Sequence, residues 1–196
     1  MRTETKLLTV VLLLASQAFR YAHAQETKTQ PPEPKTKLEA FQAKSGAVII
    51  SGFSEVGSVE GNSSTSVAVE CKEFTDASSG KKEYGITVTV KGLSSRLVEN
   101  VSKSYIDSDE IDSLLKGIEY IAKIDKTTTR LIDFQADYRT KADLVVSTYS
   151  SGKSGEIGAG VKNGRFGGTA LLSLPELEQF RKLIAKSKEM LDAIRK

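Results

Sequence analysis

The chain has 196 residues, a net charge of +3, one histidine, one cysteine and no tryptophan. The histidine, His23, lies in a predicted leader, so the rest of the chain can form neither a Ser-His-Asp triad nor a histidine-containing metal site. Because Cys71 is the only cysteine, an intramolecular disulfide and a thiolate metal cage are also excluded.

The first 24 residues have the pattern of a secretory signal peptide. Arg2 and Lys6 precede an apolar run over residues 7–15, and an Ala-His-Ala sequence ends at Ala24. The run is shorter than the roughly 20 residues of a membrane span. We therefore predict cleavage near Ala24, export to the periplasm or the extracellular space, and no membrane span.

The predicted mature chain has a small net charge. Loss of the three basic residues and one acidic residue of the leader takes the net charge from +3 to +1. A charge of this size gives no strong indication of nucleic-acid binding.

A linker and a first folded unit follow the leader. Residues 25–37 contain three of the four prolines and no large apolar residue, which predicts an unstructured linker. The first unit, residues 38–126, begins with a short helix near 37–44. Four strands are then predicted at 47–53, 67–71, 86–90 and 97–106, with loops at 57–66 and 76–82.

An amphipathic helix within 106–124 closes the first unit. Its apolar residues recur at helical spacing, at Ile111, Leu114, Leu115, Ile118, Ile121 and Ile124. The spacing of Asp107 and Glu110 is that of a capping box, with Asp107 as the N-cap. Gly117 is unfavourable inside a helix, so it predicts close packing there, against a second helix.

The second unit, residues 127–196, repeats this order. Strands are predicted at 132–139, 144–149, 156–162 and 165–172, with a hairpin turn at Asn163-Gly164. A closing helix starts from a capping box formed by Ser173 and Glu176. A shift of 66 residues matches Asp107 to Ser173 and Glu110 to Glu176, which indicates an internal repeat.

Four strands and a helix, occurring twice, predict an α+β protein of two ββββα-type units. Each antiparallel sheet is expected to be closed by an amphipathic helix. Over roughly residues 47–195 this order resembles the units of the Pur, Whirly and PC4-type single-strand nucleic-acid binders, in topology alone and without a sequence motif of those families. The resemblance implies nucleic-acid binding as one candidate function.

The densest acidic cluster comprises Asp107, Asp109, Glu110 and Asp112. Carboxylates are ligands that calcium prefers, but a calcium loop beginning at Asp107 would have Ile111 at its fifth position and no glycine at its sixth. We therefore interpret these residues as favourable charges at a helix N-terminus, and we predict no metal site and no cofactor.

The glycine-rich segment 155–168 does not match either phosphate-loop spacing. Small residues on one strand face are more typical of a place where another backbone or a helix approaches closely. Cys71 alternates with Val67 and Val69, which predicts a buried, inert thiol.

Aromatic and basic residues interleave in the second unit, as in proteins that bind single strands. Acidic residues nearby in sequence favour an ordinary solvated face instead. The candidate ligand or partner surface consists of Tyr138, Arg139, Lys141, Lys162 and Arg165.

These observations favour an exported, non-enzymatic binding or structural protein, whose partner is another protein or a small ligand. One alternative is a secreted hydrolase that uses two carboxylates, because that chemistry needs no histidine. The other alternative is a single-stranded nucleic-acid-binding module. The sequence identifies no catalytic residue and does not determine the oligomeric state.

Overall fold

Eight antiparallel strands form the framework of the computed structural model, which describes residues 33–93, 99–150, 152, 155–164 and 167–195. The strands are β1 (Ile49–Glu60), β2 (Ser66–Asp76), β3 (Lys82–Leu93), β4 (Glu99–Asp107), β5 (Gln135–Arg139), β6 (Leu144–Ser150), β7 (Ile157–Asn163) and β8 (Thr169–Leu172). The helices are α1 (Lys37–Gln42), α2 (Ile111–Ile121) and α3 (Leu174–Ile194), with a short 3₁₀ helix at Lys126–Thr128. The predicted α+β class is confirmed.

The predicted leader, and the predicted linker up to residue 32, lie outside the described residues. Within the described ranges, no helix combines the length and the apolar character that crossing a membrane requires.

All eight strands belong to one sheet, where the sequence predicted two. The strand order is β1-β2-β3-β8-β7-β6-β5, and β4 also pairs with β3. We refer to β1–β4 with α2 as the first half of the chain, and to β5–β8 with α3 as the second half. The two halves meet where Leu93 of β3 pairs with Thr169 of β8. A Cβ on Gly92 would lie 2.5 Å from the carbonyl carbon of Gly168, so the backbones can approach this closely only because both residues are glycine.

The two long helices lie across strands from the opposite half of the chain. α3 contacts mainly β1 and β2, whereas α2 contacts β5, β6 and α3. The Cys71 thiol of β2 lies 3.5 Å from the Ser187 carbonyl oxygen of α3, and the Thr148 hydroxyl of β6 donates to the Ile121 carbonyl oxygen at 2.9 Å. The predicted closure of each sheet by its own helix is therefore wrong. Because the strands share one apolar side, either helix can cover either half.

One continuous core lies between the helices and the sheet. Its largest side chains are fully buried, and they come from both halves of the chain: Ile86, Ile106, Ile111, Leu114, Ile118, Leu144, Leu177, Phe180 and Ile184. Because both halves contribute to this main core, they are expected to unfold together.

The N-terminal helix α1 docks on the side of the sheet opposite this core. Leu38 and Phe41 are buried there against Phe74 and Tyr105. Thr36 accepts from the Glu39 N–H in a complete capping box, so the last residues of the predicted linker already belong to the start of α1.

The predicted N-cap of α2 is wrong. Glu110 occupies the N-cap and makes no side-chain capping bond, whereas Asp107 ends β4. The buried Asp107 carboxylate instead accepts from the backbone N–H groups of Lys37 and Leu38, at 2.9 and 3.1 Å. It therefore holds the start of α1. In contrast, the Ser173–Glu176 capping box at the start of α3 is confirmed.

The two predicted loops of the first half have different outcomes. β1 continues to Glu60 through a bulge between Glu55 and Gly57, so the loop predicted at 57–66 is shorter and spans residues 61–65. The turn predicted at 76–82 is present. There a hydrogen bond from the Ser78 hydroxyl, and to a smaller extent one from the Lys44 ammonium, holds the pKa of the Asp76 carboxyl well below its usual range.

Gly117 permits close packing, but against a strand residue and not against the second helix. A Cβ at this position would lie 2.1 Å from Cδ2 of Tyr138. Gly117→Ala should therefore lower the denaturation midpoint, because overpacking costs about 1–3 kcal/mol and alanine returns only about 1 kcal/mol of helix propensity. Urea denaturation measures the effect, and a raised midpoint would contradict this packing.

Candidate functional site

The side of β5–β8 that faces away from α2 and α3 forms an open groove of about 560 Å³. Strand alternation places side chains there. In β5, Ala136 and Tyr138 pack against the core, whereas Gln135, Asp137 and Arg139 line the groove. The groove is therefore the uncovered face of the second half of the sheet.

Strand register arranges the groove side chains in three rows across the sheet. The first row holds Arg139, Val145, Lys162 and Thr169; the second holds Asp137, Ser147, Gly160 and Leu171; the third holds Gln135, Tyr149 and Gly158. One end of the groove is thus basic and the other is aromatic.

The Tyr149 ring lies over glycines of the neighbouring strand. A Cβ on Gly158 would lie 3.1 Å from Cε2, Cζ and the hydroxyl oxygen of Tyr149, and a Cβ on Gly160 would lie 3.8 Å from Cε1. Gly158 and Gly160 therefore admit an aromatic ring, whereas the close approach of another backbone that the sequence predicted for segment 155–168 occurs at Gly168, against Gly92. The contact between Tyr149 and these glycines follows from the pairing register of β6 with β7. It cannot be read from residue spacing along the chain.

The charged groups of the groove have few partners of their own. Arg139 Nη1 lies 3.8 Å from an oxygen of Asp143, which is too long for a hydrogen bond. Lys162 makes no ion pair with any residue that the structure describes. Asp137 accepts one hydrogen bond, at 2.9 Å, from the Gln135 amide. Two cations and one carboxylate are thus available to a ligand.

Of the four predicted surface residues that the structure describes, two lie together in the groove. Arg139 and Lys162 line the groove, but Tyr138 belongs to the opposite face of β5. Lys141 lies in the β5–β6 turn, where its N–H donates to Oε1 of the buried Glu110 at 2.8 Å. Arg165 lies outside the described residues. Prediction missed Tyr149, Ser147 and the other groove residues, because they carry no motif.

The acidic cluster forms a structural junction. The Asp109 carboxylate accepts from the Lys37 ammonium of α1 at 2.6 Å, and Asp112 accepts from Lys188 of α3 at 2.7 Å. The Lys37 hydrogen bond holds the pKa of Asp109 below its usual value. No group of three or more metal-ligating side chains is placed to hold an ion within the described ranges.

Carboxylates do not converge in any of three grooves that the described residues form. One groove contains Asp137, another Glu73 and the third Glu156. A carboxylate-dependent hydrolase needs two such groups facing each other, so these grooves give that alternative no support. Cys71 is buried, and burial raises the pKa of its thiol, as expected for a core cysteine.

Comparisons with protein-family models, with curated proteins and with solved structures find no match to this chain. The resemblance in strand order to single-strand nucleic-acid binders therefore gains no support from a solved structure.

Proposed function

We propose that the protein is an exported, non-enzymatic binding protein whose ligand lies in the groove on β5–β8. One observation carries this proposal: the groove combines a tyrosine ring at one end with two cations at the other. Its volume falls in the range of small-molecule sites, roughly 300–1,000 Å³.

The ligand class that fits this arrangement is a polar molecule or chain end that carries a carboxylate. Arg139 and Lys162 occupy one row with Val145 between them, so their Cα atoms are about 10 Å apart, two strand spacings. Both present N–H donors to an anion, and the guanidinium can bind a carboxylate through two hydrogen bonds. The Tyr149 ring contacts the apolar part of the same ligand, and Ser147 and Asp137 offer hydrogen bonds between the two ends.

A nucleic-acid ligand fits less well. The aromatic platform expected beside the cations, Tyr138, is covered by α2 on the other face.

Three acidic probes test the ligand class: an oligogalacturonate, an oligoglutamate peptide and single-stranded oligothymidylate. We expect a carboxylate probe to bind by calorimetry with an affinity that falls as salt rises, because the contacts are ionic. Arg139→Gln with Lys162→Gln should weaken that binding at least about tenfold, since each charge-assisted hydrogen bond contributes about 1.5–3 kcal/mol.

Lys116→Gln with Lys182→Gln provides the matched control, because both lysines are exposed on helices, away from the groove. This variant should bind like the unaltered protein. Binding of neither carboxylate probe would contradict the proposed ligand class. Submicromolar binding of oligothymidylate at physiological salt would instead favour the nucleic-acid alternative.

Export is tested separately, by N-terminal sequencing of the protein from the periplasmic or secreted fraction. We expect the sequence to begin at Gln25, after the Ala-His-Ala site. An intact leader in that fraction would contradict the predicted cleavage.

We also propose that residues 47–124 and 130–195 are copies of one ββββα unit. The 66-residue spacing of matching residues supports this proposal, as does the occurrence of four antiparallel strands followed by a helix in both halves. If the two halves are copies, the helix of each copy covers the strands of the other copy. This arrangement resembles domain swapping, but within one chain.

A further inference from the structure

The two end strands of the sheet differ in how their free edges are protected. β5 is a short edge strand of five residues, and it carries the charged side chains of Asp137 and Arg139. β1 is an edge of twelve residues that pairs with β2 alone among the described strands. Its segment 49–54 contains no charge and no proline, the usual devices that prevent edge-to-edge pairing.

Large apolar side chains are exposed along the same part of β1. Ile50 is 57% exposed and Phe53 is 67% exposed. A groove of about 290 Å³ lies beside them, lined in part by Gly52, Ser54 and Ile194, and Ile194 is itself 55% exposed. Unpaired backbone groups, apolar side chains and a groove thus coincide at one edge.

We propose that β1 pairs in antiparallel fashion with β1 of a second copy of this chain, about a two-fold axis at Gly52. This register places Ile50 of each copy opposite Ser54 of the other, and Phe53 opposite Ser51. Large side chains thus face small ones, as close packing between strands requires. Ser54 pairs with Cys71 and therefore lies on the helix side, so Ile50 of the second copy enters the groove beside Ile194.

A second copy fits this edge better than other occupants do. The uncharged segment 49–54 meets its own copy without bringing like charges together, whereas Glu55 and the bulge after it end the uncharged stretch. The predicted linker, residues 25–37, has no large apolar side chain that could cover Ile50 or Phe53. The pairing would join two eight-stranded sheets through an isologous interface.

Analytical ultracentrifugation over a concentration series tests this proposal on the protein purified from cells that express the full chain. We expect a monomer–dimer equilibrium. Ile50→Lys with Phe53→Lys should raise the dissociation constant at least about a hundredfold, because lysines on the edge bring like charges together in the dimer. Both residues are exposed, so circular dichroism should show an unchanged fold. Val101→Lys is the matched control, because Val101 is 63% exposed but lies on β4.

Cysteine cross-linking tests the register in a Cys71→Ser background. Gly52→Cys is tolerated sterically, since its Cβ would lie 3.7 Å from Cβ of Glu73, and it should form an intermolecular disulfide under mild oxidation. Ser58→Cys, also exposed on β1, should not. A wild-type monomer at all concentrations, a dimer that survives the double lysine variant, or equal cross-linking at Ser58 would overturn the proposal.

Discussion

Replacement of Asp107 with alanine should detach α1 from the sheet and lower the free energy of unfolding by about 3–6 kcal/mol, the sum expected for two hydrogen bonds to a buried carboxylate. Asp107 is 1% exposed, and its two oxygens accept the N–H groups of Lys37 and Leu38. Without this carboxylate both donors lose their acceptor, and Leu38 loses its fixed position over Gly85. Hydrogen exchange at residues 37–42, together with urea denaturation, measures both effects.

Asp109→Ala is the control for this prediction. Asp109 also contacts Lys37, but through its ammonium group and with both side chains about half exposed. An exposed ion pair of this kind contributes about 0–1 kcal/mol, so the variant should keep the protection of α1 nearly intact. Equal losses in the two variants would mean that charge near α1, and not the buried backbone contacts of Asp107, holds the helix.

The second large effect is expected for Ile118→Ala, which should cost about 2–5 kcal/mol, as for other truncations of buried aliphatic residues. Ile118 of α2 is fully buried in the core that both halves of the chain build. Because α2 covers β5 and β6 and also contacts α3, the substitution should lower the stability of the whole sheet. Thermal denaturation, followed by circular dichroism, should therefore show one transition that moves to lower temperature.

Leu115→Ala offers a comparison within the same helix, because Leu115 is only partly buried. It should lower the midpoint by less than Ile118→Ala does. Two separate transitions, with only one of them shifted by Ile118→Ala, would show that the halves fold independently and would contradict the shared core.

Periodicity predicted where the strands and helices lie, because it reports which residues share a face. Each of the eight predicted strand positions overlaps an observed strand, and the Ser173–Glu176 box begins α3 as expected. Periodicity does not report which element covers a face. The exchange of helices between the halves, and the single sheet, depend on contacts between residues far apart in the chain, such as Leu93 with Thr169.

The same limit explains the errors in the candidate surface. Alternation in β5 shows that Tyr138 and Arg139 point to opposite faces, but the sequence grouped them by their neighbourhood along the chain. Gly117 decides which face is covered, since its missing side chain makes room for the Tyr138 ring. The spacing of Asp107 and Glu110 is likewise a local pattern, and it predicted that Asp107 caps α2. Asp107 instead accepts hydrogen bonds from N–H groups of α1, some 70 residues earlier in the chain.

Binding of a carboxylate-bearing ligand in the groove on β5–β8 can be located by an NMR titration. The isotope-labelled protein is titrated with oligogalacturonate and, separately, with oligoglutamate. We predict saturable shifts of backbone amides in the three rows, at Lys162 in the first, Ser147 and Gly160 in the second and Tyr149 in the third, with little change in α1 or β1. Shifts confined to other parts of the sheet, or no shifts with either probe, would contradict binding of a carboxylate in this groove.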